Sequence, residues 1–285
     1  MHYGLYLPNF GAFGDPETMV SLAVDAESSG WDGFFIWDHI AGFDNTMVDP
    51  WVALGAVAQA TQQIRIGTTV TPVPRRRPHK LARETASVDR LSNGRLIFGV
   101  GSGEGAAEYG RLGEVSEHRI RGEMLDEALD VITRLWSGER VDHSGTHYRV
   151  EGARFRPTPV QQPRIPIWVG GVWPHRKPMR RAAQWDGVFP LFNIGEDDDI
   201  HVPLRACVEY LRSHRPTDAP FDLVYSGTTP GDDGARAQEM VAPFEESGVT
   251  WWLEAIAPYR YGEGFDEPWD LAALRERVLQ GPPRL

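Results

Sequence analysis

Two neighbouring side chains, Asp38 and His39, close a short apolar run and carry the clearest signal for chemistry. The stretch GFFIWDHI (33–40) begins as a buried β-strand. An imidazole at the end of such a strand serves as a general base, a proton relay or a metal ligand. Alternate side chains of a strand face opposite ways, so we do not expect the two to contact each other. A histidine that only hydrogen-bonds within a polar rim is the competing interpretation.

A second acidic group follows a glycine-rich stretch. FGVGSGEG (98–105) has a glycine at every second position and contains Glu104. It lacks the spacing of a dinucleotide-binding loop. The missing side chains allow either a close backbone approach within the sheet or a flat ring against the strand, with Glu104 projecting as an acid.

Glycines and cations recur in WVGGVWPHRKP (168–178). Gly170 and Gly171 stand where a strand turns into a helix, and Arg176 and Lys177 follow. Free N–H groups beside cations suit a phosphate, although two glycines often serve only a turn.

The run PRRRPHK (74–80) is basic in an otherwise acidic chain. It is either a solvated loop or a rim that steers an anionic substrate or an acidic cofactor tail. A metal site is not expected, because the first strand has only His2 and the chain contains no H-x-H pair.

Composition narrows the class of protein. The net charge of −11 and pI near 5.3 argue against nucleic acid as a partner. A single cysteine, Cys207, excludes an internal disulfide and a cysteine-based zinc site. We see neither a signal peptide nor an apolar run long enough to cross a membrane, and therefore expect the cytoplasm.

Alternating elements must position these side chains. Eight β-like runs alternate with eight helical patterns, which predicts an α/β fold, a (β/α)8 TIM barrel of one domain over 1–285. An open doubly wound sheet is the structural alternative. Long loops are predicted after the fourth strand (104–116) and before the fifth (139–165, with a short hairpin). The predicted strands are 2–8, 33–39, 65–72, 95–103, 166–171, 186–192, 221–229 and 249–256.

The active site of such a barrel lies at the carboxyl ends of its strands. This rule selects one group of candidates, which are Asn9, Asp38, His39, Thr68 to Thr71, Gly101 to Glu104, Gly170, Gly171 and Glu254.

Several stretches together resemble the bacterial-luciferase-like superfamily of flavin- and deazaflavin-dependent oxidoreductases. They are YGLYLPNFG, WDHI, RIGTTVTPVPRRRP, DRLSNGRLIFGVGSGEGAAEY, RGEMLDEALDVITRLWSG, HYRVEGARFRPTPVQQPRIPIWVGG and RRAAQWDGVFP. Their order and spacing cover essentially the whole chain.

The resemblance implies a flavin-type ring at the mouth of the barrel. It implies a bulge after the third strand, with a non-prolyl cis peptide at Thr69–Val70, and a cofactor phosphate near Gly170 and Gly171. The cofactor residues it implies are Asp38, Thr68, Thr69, Val70, Gly101, Gly103, Gly170 and Gly171, and the substrate residues are Asn9, Trp37, Arg75 and Trp173.

The cofactor stays open between FMN and the deazaflavin coenzyme F-420. The deazaflavin branch implies hydride transfer from a small organic substrate, with His39 as base and Glu104 as acid. The FMN branch implies monooxygenation with a separate reductase. Relatives also suggest a homodimer, and the short TTPGDDGA (228–235) lacks the longer insertion of many members. The alternative from another class is a non-catalytic flavin-binding protein.

Overall fold

The computed structural model describes residues 1–42, 45–104, 107–193, 195 and 198–284. Within them, strands and helices alternate as predicted, and each boundary falls within a few residues of the expected one. The strands are β1 (His2–Leu7), β2 (Gly33–Ile36), β3 (Arg65–Thr68), β4 (Thr71–Pro72), β5 (Leu96–Gly101), β6 (Arg140–Ser144), β7 (Arg149–Arg154), β8 (Ile167–Trp173), β9 (Gly187–Phe192), β10 (Asp222–Gly227) and β11 (Trp251–Ala255). The helices are α1 (Pro16–Ser28), α2 (Pro50–Ala60), α3 (Pro78–Leu91), α4 (His118–Trp136), α5 (Arg176–Ala182), α6 (His201–His214), α7 (Gly234–Glu246) and α8 (Leu271–Leu279).

Local sequence signals explain where the first two helices begin. The Asp15 carboxylate accepts a hydrogen bond from the Thr18 N–H at 2.8 Å, and Asp49 accepts from the N–H groups of Trp51 and Val52 at 3.0 Å. Each cap precedes a proline, whose missing N–H costs nothing at a first helical position. The caps thus fix where α1 and α2 begin.

The parallel strands close into a ring. Neighbours in the main sheet run β3-β2-β1-β11-β10-β9-β8-β5-β4, and β3 also pairs with β5 through Ile66 opposite Leu96 and Gly67 opposite Ile97. This last pairing joins the two sides of the sheet into the predicted barrel and excludes the open doubly wound alternative.

A bulge interrupts the third strand of the barrel. Gly67 lies opposite Ile97 and Thr71 lies opposite Val100, so four steps along β3–β4 face three steps along β5. One extra residue therefore stands in the third strand, at the point where the family resemblance implied it. The Thr69–Val70 peptide bond within the bulge is cis.

Two apolar layers form the core. One lies between the strands and the surrounding helices. The other fills the barrel interior and consists of Phe35, Ile97, Trp168, Phe189, Val224, Trp251 and Leu253, with Tyr6 and Val70 packed against it. Tyr6 and Val70 thus mark the level at which the packed interior ends and the mouth of the barrel begins.

The two predicted long loops differ in structure. Segment 139–165 contains the expected hairpin, β6 paired with β7, and Glu127 of α4 holds its turn by accepting from the N–H groups of residues 146 to 148. The described part of 104–116 contains a short 3-10 helix at Gly110–Leu112. Among the described helices, none combines the length and the apolar character that a bilayer span requires.

Candidate active site

A cavity of about 470 Å3 opens at the carboxyl ends of the barrel strands, within the size range of small-molecule sites. Its lining includes eleven of the residues predicted from the sequence: Trp37, Asp38, His39, Thr69, Val70, Gly101, Ser102, Gly103, Glu104, Gly170 and Gly171. Residues not predicted also line it, among them Tyr6, Glu108, His118, His175, Arg181 and Phe189.

Two clefts of larger volume lie away from this chemistry. One, of about 690 Å3, runs between α6 and α7, and the other, of about 710 Å3, lies at the amino ends of the strands. The mouth cavity is the better candidate, because it joins an imidazole and several carboxylates at the end of a barrel where catalytic groups are found.

Asp38 is an anchor in a buried charge network. Its carboxylate is fully enclosed and accepts hydrogen bonds from Thr71 Oγ1 at 2.8 Å, Arg75 Nη2 at 2.6 Å and Arg76 Nη2 at 2.8 Å. Thr71 in turn lies 2.9 Å from Thr68, whose hydroxyl donates to the Gly99 carbonyl at 3.0 Å. Thr68 therefore holds the third strand behind the cavity and does not line it.

His39 turns towards a different carboxylate. Its Nδ1 lies 3.2 Å from Oε1 of Glu108, which also accepts from the Ile40 N–H at 2.7 Å, while Glu108 Oε2 accepts from Arg75 Nη1 at 2.7 Å. Burial alone would raise the pKa of Glu108. The hydrogen bond from His39, the charge of Arg75 and the Ile40 N–H outweigh it and hold that pKa below its usual value. Asp38 and His39 thus diverge, as strand alternation predicted.

Asn9 supports the histidine from below. Its Nδ2 donates to the carbonyls of His39 and Val48, both at 2.8 Å, and its Oδ1 accepts from the His39 N–H at 3.1 Å. Asn9 is completely buried and does not line the cavity. Its predicted place in the substrate pocket is therefore corrected, because both ends of its amide are used in fixing the backbone of His39.

Arg75 requires a similar correction. We predicted it on an exposed substrate rim, but its side chain is only 3% exposed and is enclosed between Asp38 and Glu108. Arg76 is bound to Asp38 as well, and Arg77 remains exposed. Two of the four cations of the basic run, Arg75 and Arg76, thus balance buried carboxylates, since a charge removed from water needs a partner.

Two glycines leave room for the Val70 side chain. A Cβ on Gly101 would lie 2.7 Å from Val70 Cγ2, and one on Gly170 would lie 2.9 Å from Val70 Cγ1. The room left by these two glycines is occupied by the Val70 side chain. Because a side chain at either position would displace Val70, the shape of the cavity depends on both glycines.

Gly171 and the helix after it serve packing. A Cβ on Gly171 would meet Pro178 of α5 at 2.4 Å. The Arg176 guanidinium lies over the rings of Trp173 and Tyr210, at 4.3 and 4.4 Å from their centres. Trp173 is almost fully buried and lines no part of the cavity, so its predicted place in the substrate pocket is wrong.

Basic groups do line the side of the cavity next to α4 and α5, but they are not those predicted. Arg181 pairs with Asp126 of α4 through Nη2 at 2.9 Å, and His118 lies 2.8 Å from the guanidinium of Arg121. Arg121 also donates to the Gly103 carbonyl at 3.0 Å. These contacts tie the end of β5 to α4.

Glu104 is exposed and lines the cavity directly after Gly103. Gly103 has a φ of +73°, and a Cβ there would meet the Tyr109 hydroxyl at 2.2 Å. The tight turn at this glycine brings Glu104 to the rim, and residues 105 and 106 lie outside the described residues.

An aromatic wall stands beside His39. The rings of Phe10 and Trp37 are each within 6 Å of the imidazole, and Phe265, from the segment after β11, packs on both of them. Phe10 is fully buried, so it supports Trp37 from behind. Glu254, selected from the end of β11, is buried against Thr229, Trp252 and Arg260 and takes no part in the site.

Two buried polar atoms in the lining lack a hydrogen-bond partner among the described residues, Thr69 Oγ1 and Trp37 Nε1. Unpaired buried groups are uncommon and often mark the place of a ligand. Within the same residues, no group of three or more histidine, cysteine, aspartate or glutamate side chains is arranged to hold a metal ion.

The profile of one protein family, described as luciferase-like monooxygenase, matches residues 1–280. The chain belongs to this family. The match covers nearly the whole barrel, including every strand that contributes to the cavity.

Two curated relatives of this luciferase-like chain use different cofactors by name. An F-420-dependent glucose-6-phosphate dehydrogenase of Microbacterium testaceum is 35% identical over 165 residues, which are 56% of this chain and 48% of that protein. The oxygenase component of a flavin-dependent trigonelline monooxygenase of Acinetobacter baylyi is 31% identical over 230 residues, 79% of this chain and 63% of that protein. The chain thus spans about half the length of the dehydrogenases it matches.

A solved structure shows the same luciferase-like fold. The coenzyme F-420-dependent tetrahydromethanopterin reductase of Methanopyrus kandleri superposes with a TM-score of 0.75 at 16% identity, over 98% of this chain and 96% of the other.

Glu108 is the main residue that sequence reasoning missed. It lies in the segment flagged for its length, four residues after Glu104. No local pattern distinguishes it from a solvated acid, because its partners His39 and Arg75 are 69 and 33 positions away.

Proposed function

We propose that this chain is an oxidoreductase that binds a flavin-type ring in the mouth cavity and oxidises a small hydroxyl-bearing molecule there. The observation that carries the proposal is the presence of His39 and Glu104 in the lining of one cavity together with the bulge residues Thr69 and Val70. The identity to F-420-dependent dehydrogenases supports the deazaflavin coenzyme as the cofactor.

The residues present fit such a cofactor. Thr69 Oγ1 is buried and unpaired in the lining, and Val70 offers an apolar contact held by Gly101 and Gly170. Thr69, Val70, Gly101, Gly103 and Gly170 would hold the ring system, with Asp38 fixing the strand ends behind them. When bound, a deazaflavin supplies a hydride acceptor.

His39 acts in this proposal as the general base. As a C–H bond of the substrate breaks and its electron pair departs, the O–H proton passes to His39, and a carbonyl group remains. Glu104 serves as the acid at the same rim. Trp37 and the aromatic wall exclude water from this side of the cavity.

A second candidate function is FMN-dependent monooxygenation, favoured by the trigonelline relative, which matches a larger share of this chain. That relative is named as an oxygenase component, so this candidate would require a separate reductase as a partner. A non-catalytic flavin-binding protein is the third candidate.

Side-by-side binding of FMN and coenzyme F-420 to the purified protein, followed by fluorescence quenching, separates the first two candidates. Binding of the deazaflavin alone supports hydride transfer, and binding of FMN alone supports oxygen activation. If neither binds, the proposal that a flavin-type ring fills the mouth fails.

His39→Ala separates an enzyme from a binding protein. We expect kcat to fall by about 10²–10⁴-fold, the usual contribution of a general base, while cofactor affinity stays nearly constant. The exposed His79→Ala on α3 is the control and should behave as wild type. Undiminished turnover in His39→Ala would remove His39 from the chemistry.

We further propose a homodimer that forms through α2, and a cytoplasmic location. The outward face of α2 carries Val52, which is 68% exposed, followed by Ala56 and Ala60. Exposed apolar side chains on one helix face are typical of subunit contacts. Cys207 is the single cysteine and is buried, so the chain has no internal disulfide that would need an oxidising compartment.

A further inference from the structure

Glu108 binds His39 by a hydrogen bond whose direction is dictated by chemistry. Its side chain is 4% exposed, and its Oε1 lies 3.2 Å from His39 Nδ1. An ionised carboxylate can only accept hydrogen bonds, so the hydrogen must stand on Nδ1. In the neutral imidazole, Nε2 is then the nitrogen with the lone pair.

The surroundings keep Glu108 ionised and in place. Arg75 Nη1 donates to its Oε2 at 2.7 Å, and the N–H groups of Ile40 and Ala41 donate to Oε1 at 2.7 and 3.3 Å. The hydrogen bond from His39, the charge of Arg75 and the Ile40 N–H together hold the pKa of Glu108 below its usual value against the effect of burial. A carboxylate with these donors stays a fixed acceptor at neutral pH.

Arg75 is shared between two acids, which makes the arrangement rigid. Its other amino group, Nη2, binds the Asp38 carboxylate at 2.6 Å and the Asp38 carbonyl at 2.9 Å. The guanidinium is planar and its donors are fixed in a fork, so the positions of both carboxylates are coupled. Glu108 therefore cannot turn away from His39 without losing Arg75.

We propose that Glu108 is a positioning residue that fixes His39 in the Nδ1–H tautomer and presents Nε2 as the proton acceptor in the reaction. The inference rests on the proposed function, in which His39 is the base, and adds a role for Glu108. Both acids line the cavity, but Glu108 is bound to His39 and acts through it, whereas Glu104 is exposed at the rim. The two acids thus have different tasks.

The tautomer is measured directly by nuclear magnetic resonance on cofactor-free protein with ¹⁵N-labelled histidine. The His39 signals are assigned from their loss in His39→Gln. We expect wild-type neutral His39 to carry its hydrogen on Nδ1, and Glu108→Gln to shift it towards the Nε2–H form, because a neutral amide is a weaker acceptor than a carboxylate. A wild-type His39 with its hydrogen on Nε2 overturns the inference without any Glu108 variant.

A matched control exists in the same chain. Glu127 also accepts from an imidazole, His143 Nε2 at 2.9 Å, and from three backbone N–H groups, but it holds the β6–β7 hairpin and lines no part of the mouth cavity. Glu127→Gln loses a comparable set of contacts, so it reports the general cost of such a loss. It should leave the His39 signals unchanged.

Turnover provides the second measurement. In Glu108→Gln we expect kcat to fall at least about tenfold with substrate KM and cofactor affinity nearly unchanged, since only the tautomer of the base changes. Glu127→Gln should keep kcat. Equal losses of kcat in both variants, or a changed KM with an unchanged tautomer, would reduce Glu108 to a structural role.

The outcomes separate this inference from the proposed function. If His39→Ala abolishes turnover while Glu108→Gln keeps both tautomer and kcat, His39 is the base and the inference about Glu108 is wrong. If Glu108→Gln shifts the tautomer but His39→Ala turns over normally, Glu108 orients His39 and the proposed function fails.

Discussion

At the scale of single residues, the shape of the cavity depends on positions where a side chain is missing. Gly170 has no Cβ to press on Val70, and Gly101 leaves the same side chain room from the neighbouring strand. Val70 packs against the barrel interior and also lines the cavity. A methyl group added next to Val70 should therefore change the affinity for any ring that binds in the cavity.

Gly170→Ala tests this contact. The new Cβ would lie 2.9 Å from Val70 Cγ1, closer than real Cβ contacts, so Val70 must move towards the cavity. We expect affinity for whichever cofactor binds the wild type to fall about tenfold, or about 1.4 kcal/mol. Fluorescence titration measures it.

Gly234→Ala is the matched control, because a Cβ at the start of α7 has no neighbour within 4 Å. It should leave cofactor affinity unchanged. If Gly170→Ala loses stability but binds cofactor as well as wild type, Val70 does not contact the ring.

The structure places some of the residues singled out from the sequence at the cavity and others away from it. His39, the double glycine and the bulge at Thr69–Val70 were placed in or beside the cavity. Arg75 and Trp173 were misplaced, because each is satisfied by a partner distant in sequence, the carboxylates of Asp38 and Glu108 for one and the ring of Tyr210 for the other.

At the scale of elements, α1 is joined to the start of β3 by one carboxylate. Glu27 accepts hydrogen bonds from the N–H groups of Gln62, Gln63 and Ile64, at 2.6 to 2.9 Å. Burial would raise the pKa of Glu27, but these bonds and the charge of Arg95 lower it. The unpaired N–H groups that precede a strand are thereby satisfied.

Glu27→Gln should lower the melting temperature at neutral pH by a few degrees. Because the pKa of Glu27 is lower in the folded than in the unfolded chain, the ionised carboxylate stabilises the fold at any pH above its unfolded-state pKa. This contribution is lost as the pH falls through the folded-state pKa. The difference between variant and wild type should therefore narrow in acid. Melting curves across pH measure it, and Glu239→Gln, at an exposed position of α7, should match wild type throughout. A pH-independent difference would show that the charge is not the source.

At the scale of the whole molecule, the proposed homodimer requires the outward face of α2, with Val52, to be the contact between the subunits. Val52→Asp should convert a dimer to a monomer, because it places a charge in the apolar contact. Sedimentation or light scattering measures the mass. Val202→Asp, at a valine of α6 that is 58% exposed, is the control and should remain dimeric. A monomeric wild type, or dissociation by the α6 variant alone, would contradict the proposal.

What the sequence by itself determined is the succession of elements and the edge of the barrel at which chemistry can occur. Each of these features depends on a short stretch of sequence. The periodicity of strands and helices, the Asp-Pro caps and the strand ends can therefore be recognised locally. The family likeness, confirmed over residues 1–280, added the bulge and the class of cofactor.

Only the tertiary structure decided how the charges are paired. Glu108, His39, Arg75 and Asp38 meet from three segments of the chain, and the closure of the barrel through β3 and β5 brings those segments together. A buried charge takes the partner that packing presents to it, and no pattern of spacing along the chain records that choice.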